Sequence, residues 1–332
     1  MKAVVFPARG EVAFREVADP VPGPGEALVE IRASGICHTD LEVLAANYGT
    51  GAFPVVPGHE YAGVVVALGP DTEGPAPGTR VVVDPNLECG TCRACLRGDA
   101  HLCEALRAHG VTQDGGFAER GVVRASALHP IGDLPFDIAA LAEPMGCVLN
   151  GVEAVFDPKA EVALVFGAGP MGLLMALALR GRGVARVRVV DLDEDRLALA
   201  EGFGLEALAA GGAELARMRQ GADIAVDATG VPAVAASLVD HLASGGRGLF
   251  FGVCPVGARI EVLPFEIFRR QLTLAGTHSL NHNLPAALDA LRAAGPEIGR
   301  LVSHRVPLEE IAAILSGGAP KGSLKVQAVS ED

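Results

Sequence analysis

Tryptophan is absent from these 332 residues, tyrosine occurs twice, and aromatic side chains make up only 4% of the chain. That leaves no bulky aromatic cage for a ligand and no aromatic ladder of the kind on which nucleic-acid bases stack. Positive charge is short as well: 27 Lys and Arg stand against 40 Asp and Glu, a formal net charge of −13. Binding that depends on neutralising phosphates or anionic lipids is disfavoured, so neither a nucleic-acid nor a membrane partner is expected. Long apolar runs are also missing. The longest candidate, 162–179, is broken by Gly167, Gly169, Pro170 and Gly172, short of the roughly 18 uninterrupted residues of a membrane span. The opening MKAVVFPARGEVAF lacks the apolar core of a signal peptide, which points to a soluble, cytoplasmic protein.

Half of the residues are hydrophobic, and at roughly 100–200 residues per domain the length predicts two domains. The first 150 residues read as β-rich. Lys2–Phe6, Ala27–Ala33, Tyr61–Ala67 and Arg80–Asp84 are short Val- and Ile-rich runs punctuated by Gly and Pro. Near residue 150 the texture changes to strand–helix alternation. Strands are predicted at Val162–Phe166, Val184–Asp191, Asp223–Asp227, Gly248–Val253 and Gln271–Thr277, with helices at Met171–Arg180, from Glu194 and at Val231–Leu242. Such alternation predicts a parallel sheet covered on both faces. Two helices, from about Leu284 and at Leu308–Leu315, and a strand at Leu324–Val329 follow. They are too short for a domain of their own and should return to the first.

Gly167-Ala168-Gly169-Pro170-Met171-Gly172 is a G-x-G-x-x-G segment that follows a predicted strand and opens a predicted helix. In that context glycines allow a tight turn and close approach of backbone to a pyrophosphate, whose charge meets the helix N-terminus. Asp191 ends the next strand, where a carboxylate can bind the ribose hydroxyls and repel a 2′-phosphate, so NAD is expected over NADP. Arg196 is a candidate to cover the adenosine.

Cys89, Cys92, Cys95 and Cys103 place four thiols within 15 residues. In a reducing compartment they suit a closed tetrahedral zinc site that staples a loop. The first three also resemble an iron–sulfur spacing, which the spacing by itself leaves open. A second, open site is suggested by Cys37, by His59-Glu60 and by Glu143: one thiolate, one imidazole and one or two carboxylates with room for water are the donor set of catalytic zinc.

GICHTD at 35–40, GHEYAGVV at 58–65, the four-cysteine lobe, GGFAE at 115–119, LAEP at 141–144 and GAGPMG at 167–172 together resemble the zinc-dependent medium-chain alcohol/polyol dehydrogenases, in their sorbitol-dehydrogenase-like branch. The resemblance covers essentially the whole chain. It implies an α/β protein with a GroES-like β-rich catalytic domain from residues 1–149 and 286–332, a structural-zinc lobe at about 88–104, and a Rossmann doubly wound parallel-sheet domain at 150–285. It implies Cys37 and His59 as catalytic zinc ligands, Glu60 as a ligand or near-ligand, and Glu143 at or just beyond the metal. Asp40 would orient the zinc-bound His, and Thr39 would pass a proton onward. His38 and Lys325 would contact the cofactor pyrophosphate, beside Gly167, Gly169, Pro170, Met171, Gly172, Asp191 and Arg196. Where many members carry a relay His, five residues after the catalytic Cys, this chain has Glu42.

The implied activity is reversible, zinc- and NAD-dependent oxidation of a secondary alcohol, a polyol or sugar alcohol, to the ketone in a homodimer or homotetramer. Simple secondary alcohols, vicinal diols and a non-catalytic zinc-stabilised NAD-binding regulator are the alternatives. Tyr48, His109 and His278 are further candidates for substrate contact.

Overall fold

The computed structural model describes residues 1–47 and 52–330, so Tyr48 lies outside the described residues. The chain divides into two compact units, Met1–Pro144 with Asn281–Asp332, and Met145–Leu280.

In the first unit the strand Glu26–Gly35 alternates half-buried and buried side chains as far as Ala33, as a strand with one face on a core must, and is buried throughout at Ala33, Ser34 and Gly35. It pairs antiparallel with Glu60–Leu68, Lys325–Val329 and Arg120–Arg124. The sheet continues through Arg80–Val83 to Leu128–Pro130 on one side and through Val302–Val306 on the other. Ala27, Val29, Ile31, Tyr61, Val65, Val81 and Val123 fill one core. A second core joins Val4, Phe6 and Phe117 to Ile311, Leu315 and Val326. The two ends of the chain thus share one apolar interior, which is why the C-terminal segment needs no domain of its own.

The second unit holds a six-stranded, all-parallel sheet. Val162–Phe166 lies at its middle, between Arg186–Asp191 and Ala222–Asp227, with Glu206–Ala209, Leu242–Phe250 and Thr273–Gly276 outside them. Numbered along the chain, the spatial order is 3-2-1-4-5-6, the order of a doubly wound dinucleotide fold. Val162–Phe166 is apolar throughout because both its faces are covered. The helix Pro170–Gly181 buries eight consecutive residues, Gly172 to Leu179.

The expected strands are present with ends shifted by a few residues; Gly248–Val253 moves to Leu242–Phe250. Glu206–Ala209 is a strand that the sequence did not predict. Its residues, Glu-Ala-Leu-Ala, favour helix, and pairing with Arg186–Asp191 overrides that preference.

Candidate catalytic and structural metal centres and dinucleotide turn

Cys37 ends the turn after Glu26–Gly35 and caps the short helix His38–Leu44, while His59 immediately precedes Glu60, the first residue of the paired strand Glu60–Leu68. Strand pairing therefore brings the two segments together: Gly35 and Glu60 are register partners. One donor atom from each of Cys37, His59 and Glu60 lies within 4.8 Å of the others. Asp40, fully buried, holds the group in place. Its Oδ2 accepts the Cys37 N–H at 2.8 Å, its Oδ1 accepts the Gly58 N–H at 3.1 Å, and Oδ1 stands 3.4 Å from His59 Nδ1. One carboxylate thus ties both loops together, and the imidazole nitrogen turned away from it could serve a metal. Thr39 Oγ1 lies 3.7 Å from Cys37 Sγ.

The same acidic and thiol groups set the charge balance of the cluster. Burial disfavours the charged imidazolium of His59, but the neighbouring Asp40 carboxylate and the Cys37 side chain outweigh it and raise its pKa well above the ordinary value. Lys325 behaves alike: burial opposes its charge, and Glu60, Cys37 and Glu143 together raise its pKa. A buried cluster with this much negative charge stabilises cations, and its sulfur, nitrogen and oxygen donors suit zinc. Glu143, in the first turn of Ala142–Val155, is buried and close enough to act on Lys325, but its oxygens are outside the three-residue convergence.

Lys325, expected on the cofactor, has its ammonium on Glu60 Oε1 and donates to the Ile36 carbonyl at 3.2 Å. His38 is exposed and pairs at 3.3 Å with Glu42 one helical turn on. His109 donates Nδ1–H to the Asp114 carbonyl at 2.9 Å, and burial lowers its pKa. It borders a cavity of about 510 Å³ with Phe53, Val56, Gln113 and Arg120, whose walls include none of Cys37, His59 or Glu60. His278 offers its carbonyl to Asn150 at 3.2 Å.

The sulfur atoms of Cys89, Cys92, Cys95 and Cys103 also lie within 4.8 Å of one another. Cys95 Sγ is 3.9 Å from that of Cys89 and 3.5 Å from that of Cys92. Zn–S bonds of about 2.3 Å in a tetrahedron put sulfurs about 3.8 Å apart, so the spacing encloses one ion and not a multi-iron cluster. Backbone N–H groups of Cys92, Cys89 and Ala105 point at Cys89 Sγ and Cys103 Sγ at 3.3–3.4 Å. Such donors favour thiolates, and amides of Thr91 and Cys92 lower the Cys89 thiol to about 6. Desolvation and neighbouring thiols push Cys95 up to about 12, the cost of crowding four sulfurs that a divalent ion removes.

In the second unit Gly167 N–H donates to the Val190 carbonyl at 2.7 Å and Gly167 takes a φ of +102°, a region that favours glycine. A Cβ on Gly172 would collide with the Gly167 carbonyl. Gly169 is the N-cap of Pro170–Gly181, and Pro170 and Met171 form its first turn. Asp191 closes the turn: Oδ2 accepts the Ala168 N–H at 2.6 Å, and Oδ1 those of Leu192 and Asp193 at 2.7 and 3.0 Å. The carboxylate keeps acceptor capacity for a ribose hydroxyl. The Arg196 guanidinium reaches over Gly169. Asp227 is a further member that the sequence did not single out. Its Oδ1 accepts from Thr229 N, Thr229 Oγ1 and Gly230 N at 2.8, 2.6 and 3.3 Å, shaping the turn against which Gly167 packs. An acid at the end of an apolar strand beside the central one was the available signal.

Residues 23–133 match the alcohol dehydrogenase GroES-like domain and residues 170–293 the zinc-binding dehydrogenase domain. D-altritol 5-dehydrogenase of Agrobacterium fabrum is 52% identical over 315 residues, covering 94% of both chains. D-arabinitol dehydrogenase 1 of Uromyces fabae is 31% identical, covering 98% of this chain and 96% of its own. Among solved structures, a zinc-binding dehydrogenase from Sinorhizobium meliloti bound to NADP superposes with a TM-score of 0.93 at 32% identity, over 99% of each chain.

Proposed function

The chain belongs to the zinc-binding dehydrogenase family, oxidoreductases acting on CH–OH groups, and from that premise we propose that it oxidises a sugar alcohol to the corresponding ketose, with NAD as the preferred acceptor. The observation that carries the reading is the convergence of Cys37, His59 and Glu60 on one point, braced by buried Asp40. A zinc ion there would supply Lewis acidity toward an alcohol oxygen, and nicotinamide would supply the hydride acceptor.

This chain's residues do the remainder. Asp40 fixes the ring of His59 and the backbone of Cys37. Thr39 Oγ1, beside Cys37, would accept the hydroxyl proton of the substrate while giving up its own proton toward solvent, so that it relays the proton and does not keep it. Glu60 and Glu143, both buried near the cluster, supply carboxylate oxygens to which the neighbouring hydroxyls of a polyol can donate. A sugar alcohol is further supported by the 52% identity to a protein named for D-altritol. The NAD preference rests on Asp191, whose charge opposes a 2′-phosphate. Cys89, Cys92, Cys95 and Cys103 hold a second, closed zinc. Four cysteines on one lobe outside any disulfide suit a reducing compartment, the cytoplasm. A homodimer or homotetramer is supported by the edge strand Thr273–Gly276 and by exposed Val253, Val256, Phe265 and Phe268 in the same unit.

The test is initial rates of NADH formation across hexitols, pentitols, vicinal diols, simple secondary alcohols and a polyol phosphate, with NADP⁺ alongside. Turnover concentrated on hexitols or pentitols with NAD⁺ is expected. Preference for simple alcohols or for NADP⁺ would overturn the substrate or the cofactor assignment.

A further inference from the structure

The chain passes from the second compact unit back to the first between Leu280 and Asn281, and the residues on either side of that passage are held separately. Before it, residues 277–279 follow Thr273–Gly276, an outer strand of the parallel sheet. They stand at the carboxyl ends of the strands, where a dinucleotide lies in this fold. Asn150 Nδ2 donates into a cradle of Thr277 Oγ1 and the carbonyls of His278 and Ser279, at 3.3, 3.2 and 2.9 Å. After the passage, Asn281 Nδ2 donates to the Gly98 carbonyl at 2.9 Å, across 183 residues of sequence. Gly98 belongs to the four-cysteine lobe. It takes a φ of +89°, and its N–H donates to the Cys95 carbonyl at 3.0 Å. The turn that presents the Gly98 carbonyl is thus anchored on Cys95, one of the four clustered thiols. Ser279 and His282 have φ of +55° and +52°, a conformation that residues other than glycine keep where their surroundings impose it. Asn150 grips the first of them, and Asn281 adjoins the second.

We propose that Asn281 couples the four-cysteine lobe to the dinucleotide site: the lobe's ion fixes the Gly98 carbonyl, and Asn281 passes that order along the main chain to residues 277–279. Asn281 is a positioning residue, acting through the segment it anchors and not by touching cofactor or substrate. The lobe then does more than staple a loop. It sets the fraction of molecules in which residues 277–279 are ready for cofactor, and apparent affinity falls with that fraction. The inference rests on the reading of the lobe as a zinc site and of the second unit as the NAD site.

The experiment combines NAD⁺ titration, bound-zinc counts and amide hydrogen exchange on the native protein, Asn281→Asp, Cys95→Ser and the double variant. Asp keeps the size of the side chain and removes its donor. Asn281→Asp should keep both zincs and weaken NAD⁺ binding about two- to tenfold, the range that one hydrogen bond can transmit. It should also speed exchange at residues 277–283 while Val162–Phe166 stays as protected as in the native protein. Asn281→Ala should match it, which separates the lost donor from the added charge. Cys95→Ser should lose the lobe zinc and produce the same two effects. The double variant should bind NAD⁺ no more weakly than Cys95→Ser, because both substitutions cut one path. Native NAD⁺ affinity in Asn281→Asp and Asn281→Ala, or losses that multiply in the double variant, would overturn the coupling; if Cys95→Ser does not fold, the two Asn281 variants decide it. A Cys95→Ser protein with the native zinc count would instead overturn the reading of the lobe, and a native protein that binds no NAD⁺ the reading of the second unit.

Discussion

Replacing Asp40 with Asn changes one atom and one charge at a site with no solvent access. The native carboxylate accepts the Cys37 N–H on one oxygen and the Gly58 N–H on the other, with His59 Nδ1 3.4 Å from the latter. An amide has only one acceptor oxygen, so whichever way it turns, its NH₂ faces a backbone N–H. One charge-assisted bond is lost and one buried donor is stranded, a cost on the order of 2–4 kcal/mol. The orienting contact to the ligand His weakens too, which lowers metal affinity about 10–100-fold, or about 1.4–2.7 kcal/mol. Urea unfolding would read the first effect. A chelator challenge would read the second, as early loss of one zinc while the lobe zinc stays. Stability within about 0.5 kcal/mol of native, the usual range for an innocuous surface change, with both zincs retained equally, would refute the account of Asp40.

Asp191→Ala should weaken NAD binding while leaving or improving NADP binding, read by titrating each cofactor; an unchanged NAD/NADP ratio would remove Asp191 from the ribose. Cys89→Ser should release the lobe zinc, lower the thermal midpoint and expose the lobe around Arg93 and Arg97 to trypsin, while a second zinc stays bound; an unchanged zinc count would contradict the closed site. Glu143→Gln should lower kcat for polyols more than for simple secondary alcohols, because it removes an acceptor charge near the cluster without removing one of the three convergent ligands. Equal effects on both substrate classes would make Glu143 structural.

Much of the fold follows from local pattern. Val162–Phe166 reads as a buried strand because every residue is apolar, and Ala27–Ala33 reads as a strand because it is a short Val- and Ile-rich run bounded by turn residues. Cys89 to Cys103 is legible because a closed metal site on one loop has its whole geometry in its spacing. What local pattern does not carry is the meeting of distant segments. Glu60 and Lys325 are 265 residues apart, and nothing near Lys325 announces a carboxylate; the hint is a lysine in a strand, Lys-Val-Gln-Ala-Val, that is otherwise buried. Glu206–Ala209 went unread because its composition favours helix and only its neighbour makes it a strand.

The most direct test of the zinc-centred chemistry is the rate of NADH formation from the best polyol by Cys37→Ser at NAD⁺ concentrations that saturate the native enzyme, with NAD binding measured on the same sample. The account predicts that turnover disappears while NAD binding stays near native, because Cys37 holds the catalytic ion and Gly167 to Asp191 hold the dinucleotide. Appreciable turnover in that variant would contradict it.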